Sequence, residues 1–195
     1  MALLRAASPS DLGPVIESDL VVLRTPQMSD YPAWADLRAQ SRDFLTPWEP
    51  LWATDELSRA SFRRRVRHYL RDLREDVGYA LFIFTASTGG LVGGLTLCNV
   101  RRGVTQSCTL GYWVGVEFAK QGYMTAAVRA VVPFVFDSLE LHRLEAACLP
   151  TNAASIKLLE KTGFKREGLA RRYLRINGVW QDHLLYALLD TDMRR

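Results

Sequence analysis

A chain of 195 residues with 48% hydrophobic and 24% charged residues has the make-up of one folded domain, long enough to bury a core and short for two. This excludes wholesale disorder, collagen and coiled coil, and the lack of any run near 18 apolar residues excludes a membrane-spanning helix. The net charge is +4 and 21 of the 25 basic residues are arginine, which leans toward anionic partners such as phosphates or RNA. Seven of those arginines fall between Arg59 and Arg74, so the lean belongs to one segment. Cys98, Cys108 and Cys148 have neither C-x-x-C nor nearby histidine spacing, and neither a disulfide framework nor a metal site is expected. The start, MALLRAASPSDLG, has too short an apolar run for a signal peptide, which leaves the cytoplasm as the expected compartment.

Along the chain, residues 1–19 read as an N-terminal extension and LVVLRT at 20–25 as the first strand. Ser29 or Asp30 can then cap a helix that carries Pro32 in its first turn and runs to about Arg42. TPWEPLWATD at 46–55 is too short and too aromatic for a linker and reads as an ordered loop. From Asp55 to about Glu75, Phe62, Val66, Tyr69, Leu70 and Leu73 recur at helical spacing, and the arginines fill the opposite face. GYALFIFTA, LVGGLTLCNV and CTLGYWVGV form a three-stranded meander. A helix from Gly122 shows a valine stripe and must kink or lose a bond at Pro133. HRLEAACL is a strand, Ala153 to Thr162 a short helix closed by Gly163-Phe164, and the last pair of strands turns at Asn177-Gly178. Helices on both sides of an antiparallel meander give an α+β fold.

Chemistry concentrates where GYWVGV passes through Glu117–Thr125 into a helix. Unpaired amides and the partial positive charge of a helix N-terminus suit a phosphate, and Lys120 adds a full charge. The segment has neither G-x-x-x-x-G-K-[ST] nor G-x-G-x-x-G, which disfavours nucleoside triphosphates and dinucleotides.

GYWVGVEFAKQGYMTAAVRA, then PTNAASIKLLEKTGF, then EGLARRYLRINGVWQDHLLYALL together resemble the ordered motifs of the GNAT acetyltransferase superfamily, in its RimJ/RimL branch of ribosomal-protein alanine N-acetyltransferases. The similarity covers residues 20–189, read as the acetyltransferase domain and followed by a tail at 190–195. The resemblance implies a central twisted, mostly antiparallel mixed sheet with one splayed strand pair, flanked by helices, and acetyl-CoA as cofactor. Of the family's [QR]-x-x-G-x-[GA], Gly122 is kept, whereas Ala119 and Met124 depart from it. By this resemblance the backbone of the turn, including Lys120, Gln121, Gly122, Tyr123, Met124 and Thr125, holds the pyrophosphate. Tyr112, Trp113, Val114 and Val116, on the strand and just past it, hold pantetheine, with Asn152 close by.

Many family members carry a tyrosine seven residues after that asparagine to protonate the leaving thiolate; Leu159 stands there in this chain. Ser155, three residues after Asn152, matches the serine of RimL-like enzymes and is the expected catalytic residue, unless it only caps the short helix. The glutamate that relatives often carry on the GYWVGV strand aligns with Thr109, which leaves no assigned base. An α-amine of pKa near 8 is already roughly a tenth neutral at pH 7, so water chained to Glu49, Asp182 or His183 would suffice. Trp48 and Trp52, with Glu49 and Asp182, are the expected acceptor-binding residues.

The function implied is direct acetyl transfer to the N-terminal α-amine of a protein, a ribosomal protein starting with Ala or Ser. Two alternatives stand beside it: a small-amine acceptor (polyamine, aminoglycoside or amino acid), and an RNA- or ribosome-binding module that uses the Arg59–Arg74 helix and has a degenerate acetyl-CoA site. No membrane partner is expected, and monomer and homodimer both stay open.

Overall fold

Strand formation begins earlier than the sequence patterning indicates. The computed structural model describes residues 3–5 and 13–193. Within the stretch read as an extension, β1 (Leu3–Arg5) and β2 (Val15–Glu17) precede β3 (Val21–Arg24), and each pairs antiparallel with the next. The remaining residues of that stretch, up to Asp11 and Leu12, lie outside the described residues. Three-residue strands carry too little periodicity to be seen in a sequence; Ile16, 1% exposed, shows that β2 nonetheless belongs to the core.

The first helix is split where the sequence predicts continuity. α1 (Tyr31–Gln40) and α2 (Arg42–Leu45) are separated at Ser41, which is fully buried. Asp30 precedes α1, with its carboxylate accepting from the Gln27 amide at 2.7 Å and pairing with Arg24 at 2.6 Å. α3 (Arg59–Arg74) starts four residues later than the periodicity indicates, because the Ser58 side chain caps it by accepting from the Ser61 amide.

β4 (Tyr79–Thr85), β5 (Leu91–Arg101) and β6 (Ser107–Val114) form the expected meander. α4 (Tyr123–Pro133) ends at its proline, and a single π-turn over Phe134–Ser138 follows, closed by the Leu139 amide on the Phe134 carbonyl. β7 (Arg143–Cys148) leads to α5 (Ala153–Lys161). This helix stops as its sequence predicts: Gly163 is left-handed (φ 94°), its amide bonds the Glu160 carbonyl, and the Phe164 amide bonds the Leu159 carbonyl. β8 (Lys165–Ile176) and β9 (Val179–Leu189) meet at Asn177-Gly178, both at positive φ as the hairpin turn requires. Asp190–Met193 form a last helical turn, α6; Arg194 and Arg195 lie outside the described residues.

The nine strands make one mixed sheet in the order β1-β2-β3-β4-β5-β6-β7-β9-β8. Every pairing is antiparallel except β6 with β7, which are parallel. Two apolar layers cover it. α4 and α5 contribute Met124, Val128, Val131 and Leu159 to a large core with Leu81, Ile83, Leu95 and Leu144 of the strands. α1 and α3 contribute Trp34, Leu37, Phe62 and Val66 to a smaller one with Phe82 and Leu91. Alternate residues of β4 thus enter different cores, which is why this strand reads as a continuous apolar run.

Candidate active site

The parallel pair β6/β7 holds together only from Ser107↔Arg143 to Leu110↔Ala146. Beyond Leu110, β6 continues to Val114 with register to β5 alone. The two strands therefore diverge in mid-sheet and leave the backbone of Tyr112–Val114 without a partner strand on the β7 side. A cleft of about 330 Å³ opens at this point. Leu110, Gly111 and Tyr112 of β6, Ala147 and Cys148 of β7, and Asn152 and Ser155 at the start of α5 line it. Trp48 and Pro50 of the loop after α2, and Leu174–Ile176 and His183 of the β8–β9 hairpin, complete it.

Asn152, not Ser155, caps α5: its Oδ1 accepts from the Ser155 amide at 3.0 Å. That frees the serine hydroxyl, which lies 2.5 Å from the hydroxyl of Tyr112. Burial pushes the Tyr112 phenol well above its ordinary pKa, with the Ser155 contact opposing in part, so the pair keeps its protons at neutral pH. From sequence, Tyr112 carries only a backbone role; its hydroxyl, on β6, reaches Ser155, while Leu159 is fully buried in the core.

At the entry to α4, Lys120 (φ 62°) and Gly122 (φ 90°) are both left-handed. A Cβ on Gly122 would meet nothing within 4 Å, so glycine is required there by its backbone conformation and not by space. Such a curled turn lets successive N–H groups converge on one anion, and the amides of Tyr123, Met124 and Thr125 form the first helical turn, which has no intrahelical acceptor. The Gln121 side chain donates back to the Glu117 carbonyl and braces the turn.

Several expected residues are engaged otherwise. The Val116 N–H donates to Ser41 Oγ at 2.9 Å and its carbonyl accepts from Ala119, so both backbone groups have partners within the chain. Trp113 turns its ring away from the cleft to the second core, edge-on to Phe82 and 5.0 Å from the Arg38 guanidinium, so only its backbone lies at the splay. Of the acceptor residues, Trp48 alone lines the cleft. Glu49 is held by both Arg38 nitrogens at 2.7 Å and by Trp52 Nε1 at 2.8 Å, and Trp52 stacks 4.3 Å from Arg38. Asp182 accepts from the Arg172 amide at 2.8 Å, in an irregular stretch of β8. Two buried residues missed in the sequence, Ser41 and Arg38, therefore set the shape of this region. Neither carries a local signal.

The family model for the acetyltransferase (GNAT) domain matches residues 21–165. The chain belongs to the GNAT acetyltransferases. A probable N-acetyltransferase of Bacillus subtilis, YjcK, is 36% identical over 91% of this chain and 98% of its own length. The [ribosomal protein uS5]-alanine N-acetyltransferase of Escherichia coli is 31% identical over 91% of both chains. The solved structure of Mycobacterium smegmatis RimJ in complex with CoA-disulfide superposes with a TM-score of 0.86 at 31% identity, covering 100% of this chain and 89% of that one. These relatives place this GNAT enzyme in the RimJ/RimL branch.

The residues of this acetyltransferase fit the family's acetyl-CoA. The open backbone of Tyr112–Val114 would hold an extended pantetheine arm as an added strand, and the α4 amides with Lys120 would hold the diphosphate. A covalent acyl-cysteine route is disfavoured. Burial pushes the Cys148 thiol up and that of Cys108 up to about 12, so both stay protonated thiols at neutral pH.

Proposed function

We propose that this enzyme acetylates the N-terminal α-amine of a protein, with a ribosomal protein beginning with Ala or Ser as acceptor. The carrying observation is the cleft through the splayed sheet. One group of walls presents the cofactor backbone and the Ser155–Tyr112 hydroxyl pair, and the other presents Trp48, Leu174, Arg175, Ile176 and His183. The similarity to the uS5-alanine enzyme supports the acceptor. Such a substrate puts the work of the enzyme in the cytoplasm. No helix among the described residues is long and apolar enough to cross a membrane.

Acetyl-CoA supplies the activated acyl group as a thioester. The chain's own residues orient and move protons: in this reading a β6 amide near Val114 stabilises negative charge on the acyl oxygen, and Ser155, backed by Tyr112, supplies a proton to the departing sulfur. Leaving-group protonation acts in the transition state, so it governs turnover more than affinity.

Among the residues lining the cleft none is Asp or Glu, and Arg175 is one of them. A polycationic acceptor would meet no counter-charge there, which weighs against the polyamine and aminoglycoside alternatives. Incubation with acetyl-CoA and peptides that differ only in their first residue, read by mass spectrometry, tests the assignment. Acetyl on the α-amine of Ala- and Ser-starting peptides is the expected product; modification of spermidine alone would overturn it.

A docking role for α3 is compatible with this function. Arg63 and Arg67 are exposed and have no ion pair among the described residues, whereas Arg64 and Arg71 are paired with Asp55 and Asp72. Ribosomal RNA is the anionic surface such a face would meet.

A further inference from the structure

The enzyme still lacks a base for the acceptor amine. The carboxylates that sequence reading offered are committed elsewhere: Glu49 to Arg38 and Trp52, and Asp182 to the backbone of β8. His183 remains, on β9, 3% exposed and lining the cleft together with Tyr112 and Ser155. Its Nδ1 lies 3.0 Å from the carbonyl oxygen of Gln181. A carbonyl oxygen only accepts, so Nδ1 carries the hydrogen, and in the neutral ring Nε2 is left with its lone pair. The Tyr173 ring packs against the imidazole with 5.9 Å between centroids and restrains its plane. The titratable or charged groups around it in the cleft are Arg175 on the same hairpin and, from the other walls, Tyr112 of β6 and Cys148 of β7.

We propose that His183 Nε2 is the general base of the acetyl transfer. As the amine nitrogen bonds to the acyl carbon, it loses a proton to Nε2; as the carbon–sulfur bond breaks, the sulfur takes a proton from the Ser155–Tyr112 pair. One proton enters the enzyme and one leaves, and exchange with solvent returns both groups to their starting states. The imidazole belongs to the hairpin and loop side of the cleft and the hydroxyl pair to the β6 and α5 side, so acid and base serve different atoms of the reaction. This inference rests on the acetyltransferase reading above.

Wild type and His183→Gln are compared for acetyl-CoA affinity by calorimetry and for peptide acetylation across pH. The variant is expected to bind acetyl-CoA as wild type does and to lose about 10²-fold in kcat. In wild type, log kcat/KM should fall toward acid with a slope of about two, because both amine and imidazole must be neutral; in the variant the slope should drop to about one. A variant with kcat within about threefold of wild type, or with the slope unchanged, overturns the proposal. Nitrogen-15 NMR of wild type tests the same assignment without turnover or mutation. Protonated Nδ1 in the neutral ring is expected, and a neutral ring protonated at Nε2 overturns it. If wild type binds no acetyl-CoA, the acetyltransferase reading fails instead, and the calorimetry alone reveals that.

Discussion

The two sides of the cleft are built by different means. The side proposed for the cofactor is made of backbone: the diverging β6, the left-handed turn at Lys120 and Gly122, and the first amides of α4. The side proposed for the acceptor is made of side chains that hold one another. Arg38 lies between Trp52 and Trp113, grips Glu49, and reaches Glu56, which in turn binds Arg65 of α3. The Glu49 carbonyl then accepts from the Asn177 amide of the β8–β9 turn, tying the loop to the hairpin that carries His183. Backbone geometry tolerates sequence change better than side-chain contacts do, and the turn keeps its left-handed form at Lys120 and Gly122 with Ala119 and Met124 in place. A network of charged side chains can be undone by one substitution, and this is the side proposed to meet the acceptor.

Arg38→Met is the sharpest way to break the comparison. It leaves Glu49 part-buried without its cation, while Glu56 keeps Arg65, and the expected cost is about 3 kcal/mol in urea unfolding. In protein that remains folded, KM for the peptide should rise while acetyl-CoA affinity holds. Glu49→Leu combined with Arg38→Met should recover part of the stability, since removing both partners leaves less uncompensated charge.

Gly122→Val attacks the other side through its backbone. A β-branched residue at φ 90° is strained by about 2 kcal/mol, and acetyl-CoA binding measured by calorimetry should weaken about tenfold with peptide KM little changed. If both substrates weakened equally in either variant, the two sides would not be separable.

Ser155→Ala should lower kcat by about tenfold and leave the acetyl-CoA dissociation constant alone, since Tyr112 remains in the cleft as a second hydroxyl. A matching rise in the dissociation constant would give Ser155 a binding role instead. The smallest effect is expected far from the cleft. Changing Arg63 and Arg67 to Ala should alter stability by less than about 0.5 kcal/mol, because these side chains are exposed and lack ion pairs among the described residues. The same change should flatten the salt dependence of RNA binding, measured by filter retention; unaltered binding would remove RNA from the partners of α3.

Much of this was legible in one dimension. Apolar spacing located α3, Gly163-Phe164 and Asn177-Gly178 located a helix end and a hairpin, and the strand–turn–helix around Gly122 located the left-handed entry to α4. Each of these is a preference expressed within a few consecutive residues, where backbone sterics and local hydrogen bonds act on near neighbours. What only the tertiary structure decided were the contacts between residues distant in the chain. Ser41 takes the Val116 amide from 75 positions away, Tyr112 meets Ser155 across 43, and Arg38 disarms Glu49. Each partner is an ordinary polar residue in its own segment. Its role depends on which strands diverge and which loop folds over them, and no local pattern in a sequence encodes that.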